Sequence, residues 1–298
     1  MNASTEQTLL KRYGTGVLAF VIVLLLMPLG HALMVLMEHG FGAAVYASAA
    51  VVGAIGCGLL WWGVARPGRA LYATLLGALG GVLVWTGWVE FSFVWVANKL
   101  SVAPLTVDGE VVTKPEYLVM VSSIGLLGSM LLMFFFSHTR CTFFAWFQKR
   151  MGVHRAVPVN APAQRPLSVI AFLEMIMIIW TFYLVLLLCY DDVIAGDRHP
   201  ITWVVAFGSL FWSVHLISKL VRIRAFDHAV RYAIPTVVIF WNFIEVMGRW
   251  DLFKEIWVHP TEHWPENSLM LGLLIFFIVY FMVKSKKDRS RKARAVVG

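Results

Sequence analysis

Charge is scarce in this sequence: only 14% of its 298 residues are Asp, Glu, Lys or Arg, and it has three cysteines and 11 prolines. With 59% hydrophobic residues and a mean hydropathy of +0.75, so little polar surface excludes a water-soluble globule. The cysteines, Cys57, Cys141 and Cys189, form no C-x-x-C pair and no zinc spacing. They fall at depths too different for a disulfide and read as small packing residues. There is no Walker motif and no histidine-box set of the membrane desaturase type, which excludes those phosphate and di-iron chemistries.

What is present is a series of long apolar runs. A hydrocarbon core about 30 Å thick takes about 20 apolar residues per helix. Unbroken runs without two-residue alternation exclude a barrel. The runs lie at Gly14–Met37, Gly42–Val64, Ala70–Ala97, Tyr117–Phe136, Ser168–Tyr190, Ile201–Leu220, Tyr232–Trp257 and Ser268–Val283. The first is too long for the apolar region of a signal peptide, about 7–15 residues, and reads as a membrane anchor. The expected fold class is all-α: a polytopic transmembrane bundle of about eight spans forming one membrane domain, 1–298.

Lys and Arg set the orientation. With the N-terminus inside, 20 of the 25 lie on the inner side, and an even count of spans leaves both chain ends there, in the cytoplasm. The inner (plasma) membrane of a cell is the expected location. The net charge of +8 follows from this topology rather than from nucleic-acid binding, because the cations are spread over every inner loop. The basic tail Lys284–Arg294 is expected to meet anionic lipid headgroups. The Pro-rich segment 152–166 cannot hold a helix and divides the chain into four-helix halves, 14–151 and 167–284. The third run of each half carries Trp then Glu near its outer end, Trp88/Glu90 and Trp241/Glu245.

Ionisable side chains inside apolar runs are the functional candidates, since each costs about 2.5–3.5 kcal/mol on insertion scales. His31, Glu90 and Glu245 fall in the outer half of the membrane; Glu174 and His215 fall in the inner third, where they would form a structural pair or a proton relay, with His138 nearby. The loop after the seventh run adds His259 and His263 with Glu262 between them, although Pro260 disfavours the helix that a zinc-peptidase motif requires. Methionines and most tryptophans read as bundle packing and interface anchors. Gly77/Gly81, Gly53/Gly56 and Gly125/Gly128 read as close helix contacts.

Two functions from different classes fit these residues. In one, His31, Glu90, Glu245, His259 and His263 hold a transition metal (Cu, Fe or Zn) near the outer face of a membrane oxidoreductase or of a subunit of one. In the other, Glu90, Glu174 and Glu245 bind and relay protons or cations in a transporter or channel. A third reading is a scaffold subunit whose polar residues meet partner subunits of a membrane complex.

Overall fold

The computed structural model describes residues 3–66, 69–107, 110–136, 142–152 and 166–297. Its helices are α1 (Ala3–Phe41), α2 (Val45–Val64), α3 (Ala70–Val84), α4 (Phe91–Lys99), α5 (Pro115–Met120), α6 (Ile124–Phe136), α7 (Thr142–Arg150), α8 (Leu167–Tyr190), α9 (Pro200–Leu220), α10 (Phe226–Arg249) and α11 (Trp264–Val297). A short antiparallel hairpin, β1 (Leu105–Val107) and β2 (Glu110–Thr113), is the only strand structure among the described residues. The chain is thus an all-α, multi-pass membrane-type bundle. His138 and Cys141, and the linker over 153–165, lie outside the described residues.

Seven helical stretches among the described residues are long and apolar enough to cross a membrane. The first, Gly14–Val64, has 51 residues and would reach about 76 Å if straight, more than twice the hydrocarbon thickness. It folds back instead. Gly42 sits at φ +45° in the 3-10 turn Gly42–Ala44 between α1 and α2. The two arms are antiparallel: Gly16 of α1 lies on the backbone of Leu220, and Gly63 of α2 lies on Ser168, both at the basic end of the bundle. At the other end Met34 and Met37 of α1 share a cluster with Ala49 of α2. The stretch therefore crosses twice, which restores eight crossings. A left-handed turn residue with open space around it tolerates only glycine well. Gly42→Ala is expected to cost about 1 kcal/mol, read as a lower midpoint in unfolding from mixed micelles.

Backbone proximity, not apolar area, holds helices together in lipid. α2 and α3 meet through a reciprocal contact of Gly56 with the carbonyl of Gly80 and of Gly80 with that of Gly56. α3 meets α8 through Gly77 on the backbone of Ser168, and Gly81 on Met175. These are the close contacts that the small residues predict. Gly125 and Gly128 differ, since open space surrounds both and α6 packs loosely at the edge of the bundle. The main core draws on both halves of the chain, with Ile22, Met120, Met175, Ile178, Ile234 and Val237 fully buried in one cluster.

Three spans differ from their apolar runs. The third is continuous over Ala70–Lys99 but changes pitch at Trp85–Glu90, a single π-helical turn. The seventh begins earlier and ends earlier than its run, at Phe226–Arg249, because Asp251, at φ +57°, follows it in a loop. The apolar residues beyond serve that loop: Trp257 is buried with its ring 4.9 Å from that of Trp241. The eighth begins at Trp264, with Pro265 in its first turn, where a missing N–H costs nothing.

Candidate functional site

The outer end of the bundle holds a cavity of about 270 Å³, walled by α1, the third span, α8 and α10. Its floor is apolar, formed by Leu26, Met27, Val82, Ile179 and Val238. Its roof is polar and comes from loops: Val111 and Thr113 of β2, then Lys114, and Glu255 and Val258 of the loop after α10. Into it face His31, Glu90 and Glu245, together with Tyr117, Tyr183, Tyr190 and Asn242.

Local helix geometry presents the two carboxyl groups. In the π-helical turn one extra residue fits into the turn, so residues five apart stack. Trp85 and Glu90 are five apart, and the indole Nε1–H donates to Glu90 Oε1 at 3.1 Å. In α10, Trp241 and Glu245 are four apart on a regular helix, and the indole donates to Glu245 Oε1 at 2.5 Å. Trp88, the tryptophan paired with Glu90 by sequence, instead donates to the carbonyl of Ala50 on α2 at 3.1 Å. The pitch change thus brings Trp85, rather than residue 86 or 87, over Glu90. It coincides with Gly87, which packs on the backbone of Ala49 and Gly53 and draws α2 against the turn.

The cations at the roof already hold other carboxylates. Lys114 Nζ lies 3.0 Å from Glu38 Oε2 and 3.8 Å from Glu116 Oε1. Arg249 Nε donates to Asp197 Oδ1 at 2.9 Å, a second guanidinium nitrogen donates to Thr113 Oγ1 at 3.3 Å, and the group lies 4.5 Å from the Tyr190 ring centroid. These contacts fasten the hairpin to α1 and α10. Glu90 and Glu245, by contrast, form no ion pair among the described residues. Lys114 and Arg249 line the same cavity, but neither touches Glu90 or Glu245 in an ion pair, and an intramembrane carboxyl bonded to an indole rather than held by a cation can take up a positive charge.

Glu255 sits outside the spans, where Gly248 makes room for its side chain. Burial raises its pKa above the ordinary carboxyl range, Arg249 opposes the rise, and Asp251 adds to it. A carboxyl whose pKa is raised by folding contributes stability below its unfolded pKa, about 4.3, and loses it as pH rises through the folded value. The stability of Glu255→Gln, measured as melting temperature, is therefore expected to fall less than that of the wild type as pH rises from acid to neutral.

Of the residues singled out by sequence, His31, Glu90 and Glu245 share the cavity, while His259 and His263 do not line it. These two lie in the turn before α11, His263 Nδ1 being 3.8 Å from Glu266 Oε1. Among the described residues no three His, Cys, Asp or Glu side chains are grouped to hold a metal ion. Glu174 is buried in α8, whereas His215 is exposed on α9, so the structure does not bring this pair together. Asp191 accepts from the backbone N–H of Val193, and Asp197 holds Arg249.

Sequence reasoning missed Trp85, the three tyrosines, Asn242 and the hairpin. Asp108-Gly109 between short β-branched stretches is a hairpin signal. Tyr117 and Tyr183 were legible only as polar groups inside apolar runs. Comparison with known proteins gives no match: no family model, no curated protein and no solved structure is similar to this chain.

Proposed function

We propose that this multi-pass membrane protein conducts or transports protons or cations, with Glu90 and Glu245 as the groups that receive them at the outer end and Glu174 as the next station inward. One observation carries the reading: two intramembrane carboxyl groups on different helices face a single cavity, each bonded to an indole and neither paired with a cation. Glu174 lies on α8, five residues below Ile179, the innermost α8 residue of the cavity wall, a distance of about 8 Å along the helix. With the basic end in the cytoplasm, the cavity faces the exterior of a plasma membrane.

A metal-dependent oxidoreductase draws less support, because its five candidate ligands divide between the cavity and the turn at 259–263. The test is flux into proteoliposomes under an imposed membrane potential. Lumenal pH is read with a trapped dye, and Na⁺ and K⁺ uptake is read in parallel. Uptake above protein-free vesicles for any of the three supports the reading. Uptake indistinguishable from protein-free vesicles for all three, and for a small radiolabelled organic cation, overturns it.

A further inference from the structure

The substrate class follows from what the cavity walls offer. We infer that the cavity binds a compact organic ammonium ion, its charged head recognised by Glu90 or Glu245 and the aromatic rings, its apolar body on the floor. The inference rests on the reading of these two residues as cation-binding groups.

The carboxyl groups supply the sign of the charge. The cations nearest the site, Lys114 and Arg249, are engaged by Glu38 and Asp197 and are held at the roof, so an anionic ligand would have to break an existing ion pair. A cation meets two carboxyl groups that no ion pair among the described residues engages, although Lys114 and Arg249 stand in the same cavity. Buried ionisable groups with no direct ion-pair partner are costly, and a ligand that brings a charge into contact with them recovers part of that cost on binding.

The rings supply the preference for an organic ion. Trp85, Tyr183 and Tyr117 make a continuous wall, with centroids 6.1 Å apart for Trp85–Tyr183 and 5.6 Å for Tyr117–Tyr183. Trp241 of α10 also lines the cavity, its ring held by its bond to Glu245. Aromatic faces attract alkylammonium groups, whose charge is spread over carbon and whose hydration is weak. The floor of Leu26, Val82, Ile179 and Val238 then requires an apolar body. A volume of about 270 Å³ limits the whole ligand to a size below that of most drug-like molecules, whose sites span roughly 300–1,000 Å³.

Radiolabelled benzyltrimethylammonium is a suitable probe, tested by equilibrium dialysis against the full chain in mild detergent. The expected result is saturable binding near one per chain, displaced by excess choline but not by 3,3-dimethylbutan-1-ol, its neutral carbon isostere. Affinity should fall about tenfold in Glu90→Gln or Glu245→Gln. No saturable binding, or equal displacement by choline and by the neutral isostere, overturns the inference. The isostere comparison uses only wild type, so it decides the matter even if a variant does not fold.

Flux measured on the same preparation separates the two claims. Ion flux without ammonium binding removes the substrate class and leaves the transport reading in place. Carboxyl-dependent ammonium binding in a protein that carries no flux of protons, Na⁺, K⁺ or the ammonium probe itself leaves this site standing and removes the transport reading.

Discussion

Proteoliposomes carrying Glu90→Gln together with Glu245→Gln are expected to lose potential-driven proton or cation flux by about tenfold or more. Glutamine is close in size and shape to glutamic acid, and its amide oxygen still accepts from the indole, so the Trp85 and Trp241 contacts at 3.1 and 2.5 Å survive. What is lost is the ability to carry negative charge or a transferable proton. The double variant should therefore keep the melting temperature of the wild type while its flux falls to the level of protein-free vesicles. Retained flux in a properly folded double variant would show that the route of the ion bypasses the cavity.

The single variants carry further information. If Glu90 and Glu245 serve one bound ion in turn, each single substitution should cost nearly as much as the pair, because groups that act in series are strongly non-additive. If they serve two independent routes, the losses should add. His31 shares the cavity and forms no ion pair among the described residues, so His31→Gln separates a modulating residue from an essential one by the size of its effect.

The cavity was partly legible because lipid penalises charge: Glu90, Glu245 and His31 stand out in their apolar runs whatever the fold. Depth along a helix then placed all three in the outer half. Depth carries no azimuth, however, and azimuth decided the rest. His259 and His263 follow Val258, which lines the cavity, but are not themselves among its lining residues. Likewise the partner of Glu90 depends on the pitch of one turn. A regular helix turns about 100° per residue and puts residue 86 or 87 over residue 90, whereas the π turn substitutes residue 85. Nothing in the string Trp85-Thr-Gly-Trp-Val-Glu90 marks a π turn; it becomes intelligible once Gly87 is seen wedged against α2. The small-residue contacts were legible where a second helix supplies a backbone, at Gly56 and Gly77. They were illusory at Gly125 and Gly128, which meet open space.

Gly77→Leu is expected to destabilise the bundle by about 3 kcal/mol or more, the upper part of the range for overpacking. Gly77 touches the backbone of Ser168 so closely that even a methyl group would overlap its carbonyl, and backbone cannot rotate aside as a side chain can. Ser168 is fully buried and also receives Gly63, so three helices, α2, α3 and α8, converge on this one point. Pushing α3 away from α8 would separate Val82 from Ile179, residues of the cavity floor carried by those two helices. Unfolding midpoints in mixed micelles should therefore drop together with flux. Gly125→Ala is the control: with open space around it and a helical backbone, it should be neutral or stabilising by up to about 1 kcal/mol. A Gly77→Leu protein as stable as the wild type would mean that α3 and α8 do not meet backbone to backbone at this position.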